Sequence, residues 1–357
     1  MPEQPALWLR AESKAGEART ALVPADAAAL VAAGFDISVE RSKQRCFIDS
    51  EFIAAGCSLA EPGSWPEAPR KTFILGLKEL PEDHSPLPHQ HIYFAHAYKG
   101  QQGWQQLLGR FGQAGGSLLD LEYLVDDNKR RLAAFGYWAG FVGAALGVLA
   151  WCARQHGEEP VLPQLSPWPD KVALHQQCEA ALAGLDKPST LIIGALGRVG
   201  SGASDLADKL GLPVSPWDLA ETSRGGPFPE ILEHDLFVNC VLVNEPLPPF
   251  IETGILTGEA RRLQIIADIS CDPYGDYNPI PLYSRCSSTS EPTLRIAGGD
   301  NPLDLIAIDN LPSLLPRESS EDFSSQLLPV LKTLGDNEPP VWKRAKALFQ
   351  DHLKKLG

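Results

Sequence analysis

The chain has 357 residues, which is more than one hydrophobic core usually supports, so we expect two domains. Its formal net charge of -14 and its scattered basic residues argue against a nucleic-acid or membrane partner. The seven cysteines lack metal-binding spacing, which predicts reduced thiols, and the N-terminal segment lacks a signal-peptide pattern. We therefore expect a cytoplasmic protein that acts on small molecules; a monomer is compatible with the sequence, which does not fix the oligomeric state.

The first part of the chain alternates strand and helix patterns. Short apolar runs predict strands at 7–10, 37–40, 72–76, 91–95 and 117–121, and an alanine-rich segment predicts a helix over 24–33. Strands that alternate with helices are typical of a parallel α/β domain.

The segment 132–153 contains no charged residue and is long enough to cross a bilayer. It is rich in alanine and glycine, which are also the residues that a buried helix uses to approach a neighbouring element closely. A membrane span is the alternative, but we predict a buried helix.

The second half repeats the α/β pattern. We predict a helix over 171–183 and strands at 235–240, 264–268 and 305–308, each a short apolar run of the kind found in buried parallel sheets. The tail over 321–357 is helical by pattern, with one apolar face.

The apolar run at 189–193 breaks into closely spaced glycines, which indicates a dinucleotide site. Gly194 can make the turn from strand to helix, Gly197 lets the backbone approach a pyrophosphate, and Gly200 allows close packing of the helix. Asp218 follows at the distance of a ribose-binding carboxylate, which favours NAD over NADP. The spacing differs from G-x-G-x-x-G, so a purely structural glycine turn remains the alternative.

Candidate acid–base groups follow two predicted strands. Lys78 and Glu79 follow one, and His96 follows the next, at the strand ends where α/β sheets bind ligands. A desolvated lysine can act as a base and an imidazole can move a proton near neutral pH. A solvated Lys–Glu pair is the alternative. His89 and His91 lack a third ligand at a fitting distance, so we predict no metal.

Arginines and a further carboxylate complete the candidate site. Arg19, Arg130 and Arg131 could bind a substrate carboxylate, although a surface ion pair is the alternative for each. Glu122 follows another strand and could bind a substrate ammonium group or be a loop acid.

Blocks of sequence along almost the whole chain resemble the NAD-dependent, lysine-forming saccharopine dehydrogenases, with a more distant similarity to alanine dehydrogenase. The segment 221–228, Glu-Thr-Ser-Arg-Gly-Gly-Pro-Phe, is among the most specific because few turn or core demands would dictate it. The other blocks lie at 9–12, 17–19, 63–65, 76–79, 94–96, 103–104, 130–131, 133–136, 139–141, 193–198, 217–218, 278–281 and 311–318.

This resemblance implies a role for individual residues. It implies that Lys78 takes a proton from the secondary amine of saccharopine and that His96 is the acid–base group of imine hydrolysis. The residues that it places against saccharopine are Arg19, Gln101, Arg130, Phe135, Ser270, Cys271 and Asp272. Those that it places against NAD are Arg198, Val199, Asp218, Thr222, Leu242, Ile269, Ile308, Asp309, Asn310 and Leu311.

The resemblance also implies the fold: α/β, with two Rossmann-like domains, parallel sheets and an interdomain cleft. The C-terminal helices would return to the first domain, giving a saccharopine-binding domain of 1–134 plus about 315–357 and an NAD-binding domain of 135–314. The implied reaction is reversible oxidative deamination of saccharopine to lysine and 2-oxoglutarate. A related opine or amino-acid dehydrogenase with another amine partner is the alternative. Two departures, Leu242 in place of an aromatic residue and Cys271 in the substrate turn, bear on substrate preference.

Overall fold

A computed structural model describes residues 5–81, 83–243, 245–256, 261–335 and 339–356. The chain divides into two compact units, Met1–Ala134 with Ser319–Gly357, and Phe135–Glu318. Within the described residues each unit is built on a sheet of six strands.

The sheet of the first unit is entirely parallel, with the strand order β3-β2-β1-β4-β5-β6. This is the strand order of a Rossmann fold, in which the order reverses beside the first strand and opens a crevice at the carboxyl ends of the strands. The strands are β1 Ala6–Leu9, β2 Asp36–Glu40, β3 Ser58–Ala60, β4 Phe73–Leu75, β5 Gln90–Tyr93 and β6 Ser117–Asp120, and the helices are α1 Pro24–Ala32, α2 Asp49–Ala54 and α3 Trp104–Ala114.

The second sheet has the order β11-β12-β10-β9-β7-β8. Its strands are β7 Thr190–Ile193, β8 Val214–Trp217, β9 Leu236–Asn239, β10 Ile265–Asp268, β11 Leu294–Ala297 and β12 Leu303–Ile306, and the helices of this unit include α4 Gly136–Gln155, α5 Lys171–Leu182, α6 Arg198–Leu210 and α7 Leu219–Thr222. The edge strand β11, which was not predicted, is antiparallel to β12, so this one pair departs from the otherwise parallel arrangement. The connection over 298–302 has five residues and is too short for the crossover that a parallel pair needs.

Helix α4 is the apolar segment identified in the sequence. It is long and apolar enough to cross a membrane by length and composition, and 78% of its apolar window is buried inside the protein. A Cβ atom at Gly140 would lie 1.8 Å from the Val199 carbonyl oxygen, and one at Gly202 would lie 1.9 Å from the Tyr137 carbonyl oxygen. The small residues therefore let α4 and α6 cross in close contact, and α4 is a core helix of the second unit.

Two C-terminal helices, α8 Pro316–Leu331 and α9 Pro340–Leu353, complete the fold. Ser320 Oγ accepts a hydrogen bond from the Thr20 backbone N–H at 3.0 Å, and the Phe349 ring packs on Phe111 with centroids 5.8 Å apart. The tail from Ser319 onward is therefore part of the first unit. Helix α8 begins at Pro316, five residues before the predicted start, because proline is favoured in the first turn of a helix.

The predicted fold class, two Rossmann-like α/β domains, is confirmed, with errors at short elements. The strand predicted at 305–308 lies at Leu303–Ile306. The unpredicted elements β3, α2 and α3 are short or polar: β3 has three residues, none of them fully buried, and α3 buries Leu108 and Phe111 among glutamines and glycines. Such segments lack the apolar periodicity on which sequence-based assignment depends.

Candidate active site

Three of the predicted site residues follow adjacent strands of the first sheet. Lys78 follows β4, His96 follows β5 and Glu122 follows β6. Because all three strands are parallel, their carboxyl ends lie at one edge of the sheet, where α/β folds bind ligands.

The loop that carries Lys78 is fixed by two residues that follow β1. The Glu12 carboxylate accepts hydrogen bonds from the backbone N–H groups of Leu77 at 2.7 Å and Lys78 at 2.9 Å. The Arg10 guanidinium donates to the Lys78 carbonyl oxygen. Gly76 makes this possible, since a Cβ atom there would lie 2.3 Å from Arg10 Nε. Sequence reasoning missed these roles, although Arg10 closes a predicted strand and Glu12 follows it.

The surroundings of Lys78 favour its neutral form. Burial, followed by the positive charge of Arg19, lowers the pKa of Lys78, while the negative charge of Glu17 opposes this shift. Within the described residues the Lys78 ammonium group donates no hydrogen bond that would hold its proton. A lysine of this kind is suited to act as a base.

Arg19, which was predicted to bind a substrate carboxylate, forms a buried ion pair with Glu17. Its Nε and Nη2 atoms donate to the two Glu17 oxygens at 2.8 and 2.6 Å, and both side chains are at most 3% exposed. Burial raises the pKa of Glu17, but the hydrogen bonds and charge of Arg19 outweigh it, and the net pKa is lowered. Glu17 is a third residue whose role sequence reasoning missed.

His96 lies close enough to the buried carboxyl group of Asp120 to interact with it electrostatically. It has a positive φ of 52°, and its ring stacks on Phe94 with centroids 6.3 Å apart. Burial raises the pKa of Asp120, at the end of β6, to about 6, against the effect of the His96 charge. A cavity of about 720 Å³ is lined by Glu79, His96 and Gln101 together with residues of α3, so there is space for a ligand beside the imidazole.

The charged residues around Glu122 separate into paired and unpaired groups. Glu122 accepts hydrogen bonds from Arg131 at 2.5 Å and from Lys99 at 3.3 Å, so its charge is compensated within the protein. Arg130 is exposed, and its guanidinium makes no ion pair with any residue that the structure describes. Arg130 is therefore a cation that a substrate carboxylate could engage, whereas Arg131 is already paired.

The glycine turn of the second unit has the geometry of a phosphate site. Gly194 has a φ of 84°, and a Cβ atom at Gly200 would lie 2.0 Å from the Gly194 carbonyl oxygen, so both positions require glycine. Helix α6 begins at Arg198, and its N-cap, Gly197, provides no side-chain cap. The first N–H groups of this helix, such as that of Val199, have no carbonyl partner within the helix, and together with its positive dipole end they fit a pyrophosphate.

Asp218 follows β8 beside this turn. Its Oδ2 atom accepts a hydrogen bond from the Leu196 N–H at 3.0 Å and its Oδ1 atom accepts one from the Leu219 N–H at 2.9 Å. The Thr222 hydroxyl donates to the Asp218 carbonyl oxygen at 2.9 Å. A carboxylate has further lone pairs, so Asp218 can hold the turn and still accept hydrogen bonds from a ribose diol.

The other residues predicted to contact NAD or the substrate turn follow three neighbouring strands of the second sheet. Leu242 follows β9, the run from Ile269 to Asp272, which includes Ser270 and Cys271, follows β10, and the run Ile308, Asp309, Asn310 and Leu311 follows β12. The carboxyl edge of the sheet thus carries all of them. Phe135 is different: it precedes α4, in the second unit.

A polar network lies beneath the turn after β10. The Asp268 carboxylate accepts hydrogen bonds from Asn239 Nδ2 at 2.9 Å, from Ser270 Oγ at 2.6 Å and from the Tyr283 hydroxyl at 2.6 Å. Asn239 and Asp268 are fully buried. Sequence reasoning missed this network; polar residues closing two apolar strands were the available signal.

His89 and His91 are core residues of the first unit. Both are buried, their rings lie 6.3 Å apart, and a ring nitrogen of His89 lies 2.9 Å from the Ala68 carbonyl oxygen. Within the described ranges, no three side chains from histidine, cysteine, aspartate and glutamate come together as metal ligands.

Comparison with known proteins agrees with this arrangement. Residues 8–142 match the family model "Alanine dehydrogenase/PNT, N-terminal domain". An L-alanine dehydrogenase structure superimposes with a TM-score of 0.69 at 17% identity, covering 99% of this chain and all of that one, which supports the fold.

Closer relatives are known from sequence. The chain is 48% identical to the NAD⁺-dependent, L-lysine-forming saccharopine dehydrogenase of Yarrowia lipolytica, over 98% of each chain. It is also 48% identical to the corresponding enzyme of Schizosaccharomyces pombe, over 99% of each chain. The chain belongs to the family of NAD-dependent, L-lysine-forming saccharopine dehydrogenases.

Proposed function

We propose that this protein catalyses the reaction for which its relatives are named. Saccharopine, NAD⁺ and water give L-lysine, 2-oxoglutarate, NADH and a proton, reversibly. The observation that carries the proposal is the placement of Lys78 and His96 after adjacent strands of one sheet, with the pKa of Lys78 lowered by burial and then by Arg19.

In this proposal Lys78 acts first. In its neutral form it takes the proton of the secondary amine, and the freed lone pair assists departure of hydride from the glutaryl α-carbon. His96, beside the cavity, then activates the water that attacks the imine carbon and returns a proton to the departing lysine amine. Arg130 positions a substrate carboxylate so that the reacting carbon is correctly oriented.

The second unit supplies the nucleotide site. Gly194, Gly197 and the N-terminus of α6 would hold the pyrophosphate, and Asp218 would hold the ribose. When bound, NAD⁺ supplies a two-electron hydride acceptor. This assigns saccharopine binding to 1–134 plus about 315–357 and NAD binding to 135–314, in a cytoplasmic enzyme.

The test is oxidation of NADH, followed by its absorbance, with lysine and 2-oxoglutarate together. Pyruvate plus ammonia, and other amines plus 2-oxoglutarate, are the comparison pairs. Turnover that requires lysine and 2-oxoglutarate together supports the proposal. Turnover of another pair instead would favour an opine or amino-acid dehydrogenase.

The role of Lys78 has its own test. Lys78→Met should lower kcat by roughly tenfold to thousandfold with little change in NADH affinity, because it removes a proton acceptor and no predicted cofactor contact. Lys343→Met, at an exposed position in helix α9 of the same unit, is the matched control and should leave kcat unchanged. Equal turnover of the two variants would remove Lys78 from this role.

A further inference from the structure

Two cysteines of the second unit lie in contact. The Sγ atoms of Cys271 and Cys286 are 3.3 Å apart, and both side chains are partly exposed. The sulfur atoms of a disulfide lie about 2.05 Å apart, so an approach of about 1.3 Å would join them.

Cys271 and the residue that follows Cys286 form hydrogen bonds with the same residue, Ala307. Cys271 Sγ donates a hydrogen bond to the Ala307 carbonyl oxygen at 3.1 Å. Ser287, the neighbour of Cys286, donates its backbone N–H to that oxygen at 2.8 Å, and its hydroxyl accepts a hydrogen bond from the Ala307 N–H. Ala307 directly precedes the predicted NAD-contacting residue Ile308. The thiol pair therefore lies where the predicted substrate turn and the predicted cofactor segment meet within the second unit.

The backbone at Cys271 is already unusual. Its φ of 48° places a non-glycine residue in the left-handed region, a strained conformation that persists only where the surroundings enforce it. Ser270, on one side of it, is held by Asp268 at 2.6 Å. A displacement of Cys271 toward Cys286 therefore changes the conformation of the turn, because the turn has little freedom to adjust.

We propose that Cys271 and Cys286 form a reversible disulfide with a low-molecular-weight disulfide as the oxidant, and that this modification lowers enzymatic activity by displacing the turn from Ser270 to Asp272. The cross-link itself is independent of the proposed function, whereas its effect on activity rests on it.

The chemistry is thiol–disulfide exchange. The Cys286 thiolate attacks one sulfur of the oxidant, forms a mixed disulfide and releases one small thiolate. The Cys271 thiol then loses its proton, and its thiolate attacks Cys286 Sγ and releases the second small thiolate. The two protein thiols are oxidised, the oxidant is reduced to two thiols, and the protons from the cysteines are transferred to the released thiolates.

The environments of the thiols agree with a first attack by Cys286 and a second attack by Cys271. Burial, then the adjacent Cys286, raises the pKa of Cys271, so the first attack comes from Cys286. Burial raises the pKa of Cys57 and Cys152 to about 11 and that of Cys178 to about 12, and all three are enclosed in the core. These three thiols do not compete for the oxidant.

The test treats the folded protein with oxidised glutathione and compares it with the same sample after reduction with dithiothreitol. Peptide mass spectrometry under non-reducing conditions should find a peptide linked through Cys271 and Cys286. The kcat/KM for saccharopine should fall by about tenfold or more, since small displacements of positioning groups are costly, and dithiothreitol should restore it. Cys286→Ala should be active and insensitive to the oxidant, whereas Cys46→Ala, in the first unit, should remain sensitive.

The outcomes distinguish failure of the disulfide switch from failure of the proposed function. Glutathione adducts without the Cys271–Cys286 link, or a link that leaves kcat/KM unchanged, would overturn the proposed switch. If saccharopine is not turned over, the link is still measured by mass spectrometry, and NADH affinity before and after oxidation replaces activity as the readout. In that case, a linked peptide together with unchanged NADH affinity and unchanged turnover of the substrate pair that the enzyme does use also overturns the proposed switch.

Discussion

The buried ion pair between Glu17 and Arg19 offers a perturbation with two separate consequences. Glu17→Gln keeps the shape of the side chain but replaces an acceptor-only carboxylate with a group that has a single acceptor oxygen. Arg19 donates to both oxygens of Glu17 and is 3% exposed, so the substitution removes the carboxylate charge from a buried ion pair.

The expected loss of stability follows from this burial. Removing one partner of a buried ion pair costs about 3–5 kcal/mol, whereas an exposed pair contributes about 1 kcal/mol or less. The matched control is Glu230→Gln, which breaks the Arg224–Glu230 pair, with N–O distance 2.5 Å and side chains 53% and 35% exposed. Urea unfolding of both variants, followed by circular dichroism, should show a much larger decrease for Glu17→Gln.

The second consequence is a shift in the pH profile. The Glu17 charge raises the pKa of Lys78, whereas the Arg19 charge lowers this pKa. Loss of the Glu17 charge should therefore lower the pKa of Lys78 further. If neutral Lys78 is the base, the acid limb of kcat/KM for saccharopine should move to lower pH. Equal stabilities of the two variants, or an acid limb displaced to higher pH, would refute this reasoning.

Two further predictions concern the turn and the core. Gly200→Ala should greatly weaken NADH binding, measured by fluorescence titration, because its Cβ would lie 2.0 Å from a carbonyl oxygen of the glycine turn. Gly109→Ala, in α3 with open space around it, should bind NADH normally and gain about 0.5–1 kcal/mol of stability. Burial lowers the pKa of His91 well below 6.5. As the pH decreases, the unfolded chain therefore takes up a proton on this histidine before the folded chain does. The free energy of unfolding should decrease as the pH is lowered from 6.5, by up to about 1.4 kcal/mol per pH unit. His91→Phe should reduce this slope in urea titrations at several pH values, and a slope equal to that of exposed His156→Gln would contradict the assignment.

Much of the fold could be predicted because its strands are short apolar runs bounded by polar residues. The strands predicted at 7–10 and 264–268 lie at Ala6–Leu9 and Ile265–Asp268. Errors occur where burial depends on tertiary context. The antiparallel strand β11 is mostly partly exposed at a sheet edge, and nothing local in its sequence gives the direction of its pairing.

The site could be predicted in outline for a different reason. Parallel strands bring their carboxyl ends together, so Lys78 and His96 could be expected on one edge without knowledge of any contact. Their partners could not be found in this way. The Glu17–Arg19 pair depends on the path of a loop, and the contact of Asp268 with Tyr283 joins residues fifteen positions apart across an irregular segment.

These partners determine what the edge of the first sheet can do. Glu12 accepts hydrogen bonds from backbone N–H groups, Glu17 is paired with Arg19 and Glu122 with Arg131, so these three carboxylates of the edge are compensated within the protein, whereas the exposed Glu79 raises the pKa of Lys78. Compensated carboxylates do not stabilise a lysine proton strongly, and burial can then lower the pKa of that lysine. A substrate that carries several carboxylates would meet an edge where three of the protein's own carboxylates are already engaged. The same pairs that fix the loops therefore also keep the proposed base available, which is why a single change at Glu17 should alter stability and the pH profile together.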